Sequence, residues 1–218
     1  MEIYQTEEQQ VEAIKSYWQE NGNMIIAGIV LGFAGFIGFN LYKDNVLDNE
    51  IAVSESYQNL IENSATDKAA FNEKAQQFIS DNADTSYASL TALALAKEAA
   101  DKKDWQSATV QLTVALNSAP TEGIKGIASL RLARVQIQQA QFEQALATLA
   151  KPLPASFKAA VEEIKGDTYL LQDKKELARN AYQAAIAADG LASSPSLQMK
   201  LDDLATAVNL TTILPIEK

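Results

Sequence analysis

Carboxylates and arginines are the residues whose spacing in this sequence could do chemistry. Asp101 and Asp104 stand three apart, and Asp202 and Asp203 are adjacent. Paired carboxylates can divide general acid and base roles or hold a cation. The first pair falls in a turn pattern, where Asp is expected for local hydrogen bonding. The second falls on a helical pattern, where neighbours point in different directions. Neither pair is expected to be catalytic. Arg131 and Arg134 also stand three apart on one helical face, where two guanidinium groups could hold a carboxylate. The same two residues could instead make surface ion pairs, each worth about 0–1 kcal/mol.

The wider inventory narrows the chemistry further. The chain of 218 residues has no His and no Cys. A Ser–His–Asp triad, a thiolate nucleophile, a disulfide, Cys-ligated zinc and a lipid-modified Cys are all excluded. Gly123 and Gly126 flank a turn without the spacing of a phosphate loop, and no calcium-loop pattern occurs. The expectation is a protein that is not an enzyme, with no catalytic, cofactor-binding or metal-ligating residue. There are 18 basic against 28 acidic residues, a net charge of -10, so a nucleic-acid partner is not expected. Hydrophobic residues make up 47%, which is the composition of a folded chain.

What remains is binding by shape, and two kinds of element must provide the shape. The first is an apolar run. No charged residue lies between Glu20 and Lys43, and residues 24–42 read MIIAGIVLGFAGFIGFNLY. Nineteen residues of helix reach about 28 Å, close to the hydrocarbon thickness of a bilayer. Tyr17, Trp18 and Tyr42 flank the run as interfacial aromatics would. The head is acidic and no small-residue cleavage site follows, so an uncleaved membrane anchor is expected rather than a signal peptide. Lys15 on one side and Lys43 on the other leave the orientation undecided by charge. Gly28, Gly32 and Gly35 form a smooth stripe on this helix, against which another span could pack, a second copy of the chain included. Glycine is also simply common in membrane helices.

The second element repeats. Ala96, Ala133 and Gly166 are each followed twelve residues later by Ala, at Ala108, Ala145 and Ala178. Small residues at both places let two antiparallel helices approach closely. Around them stand Leu95, Leu132 and Lys165, then Trp105, Phe142 and Lys175, then Leu112, Leu149 and Tyr182. The turns between the paired helices read KKDWQ, QAQFE and QDKKE. This pattern resembles the tetratricopeptide repeat, and its spacings of 37 and 33 residues bracket the usual 34. Pro120 stands at the end of the first repeat, and Pro152 and Pro154 shorten the second helix of the next. Lys165 and Lys175 stand where the third would usually be apolar.

The expected fold is therefore all-α: a single N-terminal transmembrane helix followed by a tetratricopeptide-like helical repeat, a right-handed α-solenoid. The expected divisions are a short head (1–23), the transmembrane helix (24–42), a linker and first helix pair (43–85), repeats with a C-terminal capping helix (86–207) and an irregular tail (208–218). A helical repeat of this kind presents a concave surface lined by the first helix of each pair. Its candidate partner-binding residues are Leu93, Lys97, Leu130, Arg131, Arg134, Ile137, Glu163 and Asp167. Mixed charge over an apolar floor suits a polypeptide better than a small molecule.

The acidic head VEAIKSYWQENG, the Gly-striped span and the segments SYASLTALALAKEAADKKDW, LRLARVQIQQAQFEQALATL, EIKGDTYLLQDKKELARNAYQAAI and QMKLDDL together resemble the YfgM family of Gram-negative inner-membrane proteins. The resemblance implies a cytoplasmic N-terminus, one span in the inner membrane and a periplasmic repeat domain. It implies partners as well: the SecYEG translocon, the membrane-anchored chaperone PpiD and, through them, nascent secretory polypeptides. The implied function is a co-chaperone or adaptor at the translocon. A second reading is an anchored repeat scaffold that faces the cytoplasm and sequesters a signalling or stress-response regulator.

Overall fold

The computed structural model describes residues 7–63, 68–83 and 85–204. The first six residues of the head, the last three of the expected capping helix and the whole expected tail lie outside the described residues. The described residues form helices and turns, with no strand among them. The chain divides into two compact units, Met1–Glu55 and Ser56–Lys218.

The first unit belongs to α1 (Glu7–Asn63), which runs 57 residues without a break. No Pro occurs to interrupt it, and its glycines stand singly. Its most apolar window has a mean hydropathy of 2.1, and no part of that window is buried inside the protein. Met24, Leu31, Phe33, Phe36 and Phe39 all stand exposed. A core helix of a soluble fold would be covered by neighbours, and such an apolar surface in water would aggregate. Among the described residues this is the one helix long and apolar enough to cross a membrane.

The second unit is built of helix pairs. After α2 (Lys68–Asp81) come α3 (Ser86–Asp101) with α4 (Trp105–Ser118), α5 (Glu122–Gln138) with α6 (Phe142–Leu149), and α7 (Lys158–Leu171) with α8 (Lys175–Ala187). Trp105, Phe142 and Lys175 each open the second helix of a pair. The turn before each is made the same way. Lys103, Ala140 and Asp173 adopt φ of 58°, 56° and 59°. One residue later, a backbone N–H reaches back five residues: Asp104 to Ala99 O at 2.9 Å, Gln141 to Gln136 O at 2.8 Å, Lys174 to Tyr169 O at 2.9 Å. This left-handed C-terminal turn satisfies carbonyls that the helix end leaves open.

The small residues lie where the paired helices touch. Ala96, Ala108 and Leu112 share one core cluster with Ala92, Ala128 and Leu132. Ala133, Ala145 and Leu149 share the next with Val161 and Ile164. The third holds Ala178, Tyr182 and Ala185 with Leu197 and Leu204. α3 thus also packs on α5, and α5 on α7, which is how a repeat buries a face it cannot cover alone.

Local chemistry sets the ends. Thr85, Asp104 and Thr121 cap α3, α4 and α5 by accepting from the N–H of Ala88, Ser107 and Ile124. Ala119, before Pro120, is extended and stops α4. Pro152 and Pro154 follow α6, which is only 8 residues long, and a 3-10 turn, Ala155–Phe157, fills the gap. That turn brings the Phe157 ring over Gly126, where a Cβ would come within 2.5 Å of the ring. Two short helices, α9 (Gly190–Ser193) and α10 (Leu197–Asp202), finish the described chain. Pro195 precedes α10 in a turn rather than lying in its first turn.

Candidate functional site

The first helices α3, α5 and α7 line a groove of about 640 Å³. Its floor is built from small and aliphatic side chains: Ala96 and Ala100 of α3, Val135 of α5 and Ile164 of α7. Trp105 and Leu112 reach it from α4, and Leu171 stands at its rim with 61% of its surface exposed. Polar residues rise along the walls: Lys97 from α3, Arg131, Arg134 and Gln138 from α5, and Asp167 from α7. The helical period places these on one side, since Arg131, Arg134 and Gln138 fall at i, i+3 and i+7.

Five residues expected in a groove therefore meet on this one: Lys97, Arg131, Arg134, Ile137 and Asp167. Leu93 and Leu130 do not. They are 5% and 8% exposed and belong to the core, Leu93 against Ala128 and Leu132, Leu130 against Val161 and Ile164. Each lies one turn before a wall residue, Lys97 or Arg134, but at the level where the next repeat's first helix covers it. Glu163 turns to the C-terminal end instead, and that arrangement was not foreseeable from spacing.

Lys200 of α10 is its centre. Its ammonium donates to Glu163 Oε1 at 2.9 Å and to Asp167 Oδ1 and Oδ2 at 2.7 and 2.9 Å. Ser194 Oγ also donates to Glu163, and the Tyr182 hydroxyl donates to Asp167 at 2.8 Å. Burial works against both charged partners of the Glu163–Lys200 pair. The hydrogen bonds outweigh it, holding the Glu163 carboxyl below the usual carboxylate range and the Lys200 ammonium above its own. Burial and the Asp167 hydrogen bond push the Tyr182 hydroxyl well up. The Arg179 guanidinium donates to Leu204 O, a second tie to the end of the described chain.

The two aspartate pairs have ordinary roles. Asp104 caps α4, accepting from Ser107 N at 3.0 Å. Asp101 accepts from Lys97 at 2.7 Å on the surface. Asp202 accepts from Gln198 at 2.8 Å, and Asp203 lies just past α10. Among the described residues no group of three or more carboxylates is placed to hold a metal ion.

In the first unit, Gly28, Gly32 and Gly35 leave open space, and a Cβ on any of them would meet none of the described residues within 4 Å. Gly32 lies at the base of a shallow trough with Ile29, Phe33 and Phe36. The chain itself does not require glycine at these positions.

The sequence matches the model of a tetratricopeptide repeat-like domain family over residues 15–206. It is 34% identical to a protein of Escherichia coli (strain K12) named ancillary SecYEG translocon subunit, over 94% of this chain and 100% of that protein. Proteins of the same name from Haemophilus influenzae and Neisseria gonorrhoeae are 31% and 28% identical, over 91% and 94% of this chain and 97% and 100% of theirs. No solved structure matches the chain. A match across the anchor, the turns and all three helix pairs places this chain in the YfgM family of tetratricopeptide repeat-like proteins.

Proposed function

We propose that this chain is a single-pass inner-membrane subunit ancillary to the SecYEG translocon, with its repeat domain in the periplasm as a polypeptide-binding adaptor. The observation that carries the reading is the 34% identity, over 94% of this chain, to a protein of that name. The repeat fold supports it, because a concave helical surface binds peptides rather than turning over substrates. The apolar segment of α1 would be the anchor. The face carrying Gly28, Gly32 and Gly35 would pack against another membrane helix, from the translocon, from PpiD or from a second copy. The groove with Lys97, Arg131, Arg134, Ile137 and Asp167 would hold PpiD or an emerging secretory chain. Leu93 and Leu130 would support it from beneath.

Anchoring explains how a shallow groove could serve there. A binding surface held beside an exit site meets its ligand at an effective concentration of order mM, so weak contacts suffice. Weak contacts also release the chain to the next factor.

The test is copurification from solubilised inner membranes, combined with labelling of a single Cys in this Cys-free chain. SecYEG should be recovered with the full chain above the level of an unrelated single-pass protein. A Lys151→Cys variant, exposed in the loop after α6, should react with a membrane-impermeant thiol reagent in intact cells. Background recovery of SecYEG would reject the translocon role. Protection of the Cys until lysis would reject the periplasmic domain and favour the cytoplasmic scaffold.

A further inference from the structure

The cations of the repeat domain are mostly neutralised. Lys102 pairs with Glu98, Lys125 with Glu122, Lys165 with Glu162, and Lys97 with Asp101. Lys74, Lys103, Lys151 and Lys158 show no ion pair with a described residue, but the unpaired cations that line the groove are Arg131 and Arg134. Neither makes a hydrogen bond or ion pair with any described residue, and Arg134 acts on Glu163 only through its field. Both line the middle of the groove. They sit one helical turn apart, so each repels the other at about 5–6 Å between Cβ atoms. The one carboxylate on the facing wall, Asp167, is already taken by Lys200 and Tyr182. A chain of net charge -10 thus keeps an uncompensated positive pair over an apolar floor.

We infer that the groove takes an acidic-apolar polypeptide segment: aliphatic side chains on the floor, with one or two carboxylates bridging Arg131 and Arg134. The planar guanidinium groups match carboxylates two hydrogen bonds at a time. The volume of about 640 Å³ accommodates a few side chains, so the recognised segment is short. This inference rests on the proposed polypeptide-binding groove and adds the chemistry of its ligand. It also gives the occupant a direction of selection. Basic segments are repelled, and neutral apolar segments bind only through the floor.

The experiment uses the full chain in lipid nanodiscs and three labelled twelve-residue peptides read by fluorescence anisotropy. The peptides share Leu and Ala positions and differ in carrying a Glu pair, a Gln pair or a Lys pair. The Glu peptide should bind about tenfold tighter than the Gln peptide, with the Lys peptide weaker still. Its advantage should shrink with added salt and vanish in the R131Q/R134Q variant, whose exposed positions leave the fold intact. An Ala100→Trp variant, which fills the floor, should weaken the Glu and Gln peptides alike.

Equal binding of the Glu and Gln peptides, both lost in Ala100→Trp, would overturn the acidic preference and leave the groove standing. Discrimination that persists in R131Q/R134Q would move the site elsewhere and overturn the inference. Binding of no peptide, or binding indifferent to Ala100→Trp, would overturn the groove itself. Tighter binding by a chain ended after Leu204 would assign the groove to residues 205–218 of this chain instead of a foreign segment.

Discussion

Gly166 lies against the ring of Tyr182, so close that a Cβ at Gly166 would overlap the ring's Cε1 and Cδ1 atoms. The same two places hold Ala96 and Leu112 in the first repeat and Ala133 and Leu149 in the second. The third repeat keeps the helix spacing by exchanging both members together. Its aromatic ring also brings a hydroxyl to Asp167, so packing and polar contact meet at one residue.

Gly166→Ala alone should therefore destabilise the chain by about 1–3 kcal/mol, despite the better helix propensity of Ala. Tyr182→Leu alone should also destabilise, since it leaves a space over Gly166 and frees Asp167 of a donor. The double variant restores the pair used in the other repeats and should recover most of the first loss. Urea melts of the four proteins give the coupling energy, and additive effects would contradict the paired exchange.

Ala140 is an alanine at φ 56° with no side chain to bond the local backbone. Left-handed backbone costs an L-residue about 1–2 kcal/mol relative to glycine. Ala140→Gly should raise the stability by about 1 kcal/mol, less the entropy glycine adds to the unfolded chain. A melt showing a loss would mean that the Ala140 methyl contributes packing the turn geometry does not reveal.

The repeat was legible because helix contact forces small residues into fixed places. Ala96 with Ala108 and Ala133 with Ala145 announce two such contacts, and turn and helix boundaries follow from them. The groove was harder to read. Lys97 and Leu93, or Arg134 and Leu130, share a helical face, and only the neighbouring first helix decides which member of each pair is covered. The Lys200 cluster was not legible at all. Its partners Asp167 and Glu163 lie 33 and 37 residues away, and nothing local to Lys200 marks it.

Lys200→Met should free α10 from α7. Two carboxylates would lose their cation, at a cost of about 1–3 kcal/mol, and amide exchange in α10 should quicken more than in α3. The wild-type tie should hold over a wide pH range. The Glu163 pKa is lowered on folding, so its contribution is complete above the ordinary 4.5 and is lost as pH falls through the folded value. The Lys200 pKa is raised, so its contribution is complete below the ordinary 10.5 and is lost as pH rises through the folded value. Exchange in α10 that tracks neither limb, or that Lys200→Met does not change, would assign its anchoring to the apolar packing of Leu197 and Leu204 and to the Arg179–Leu204 bond.

The glycine face makes the sharpest separation between fold and assembly. A Cβ at Gly28, Gly32 or Gly35 meets nothing within 4 Å among the described residues, so larger residues there cost no packing against them. Gly32→Leu should leave helix content and membrane insertion unchanged, since leucine favours both. It should nevertheless fill the trough between Ile29, Phe33 and Phe36 and hold any docked helix away. Recovery of membrane partners with the chain should then fall, with Gly32→Ala intermediate. A decline that follows side-chain size identifies this face as a helix contact. Unchanged recovery with Gly32→Leu would show that assembly runs through the repeat domain, and the glycines would then be no more than residues a bilayer tolerates.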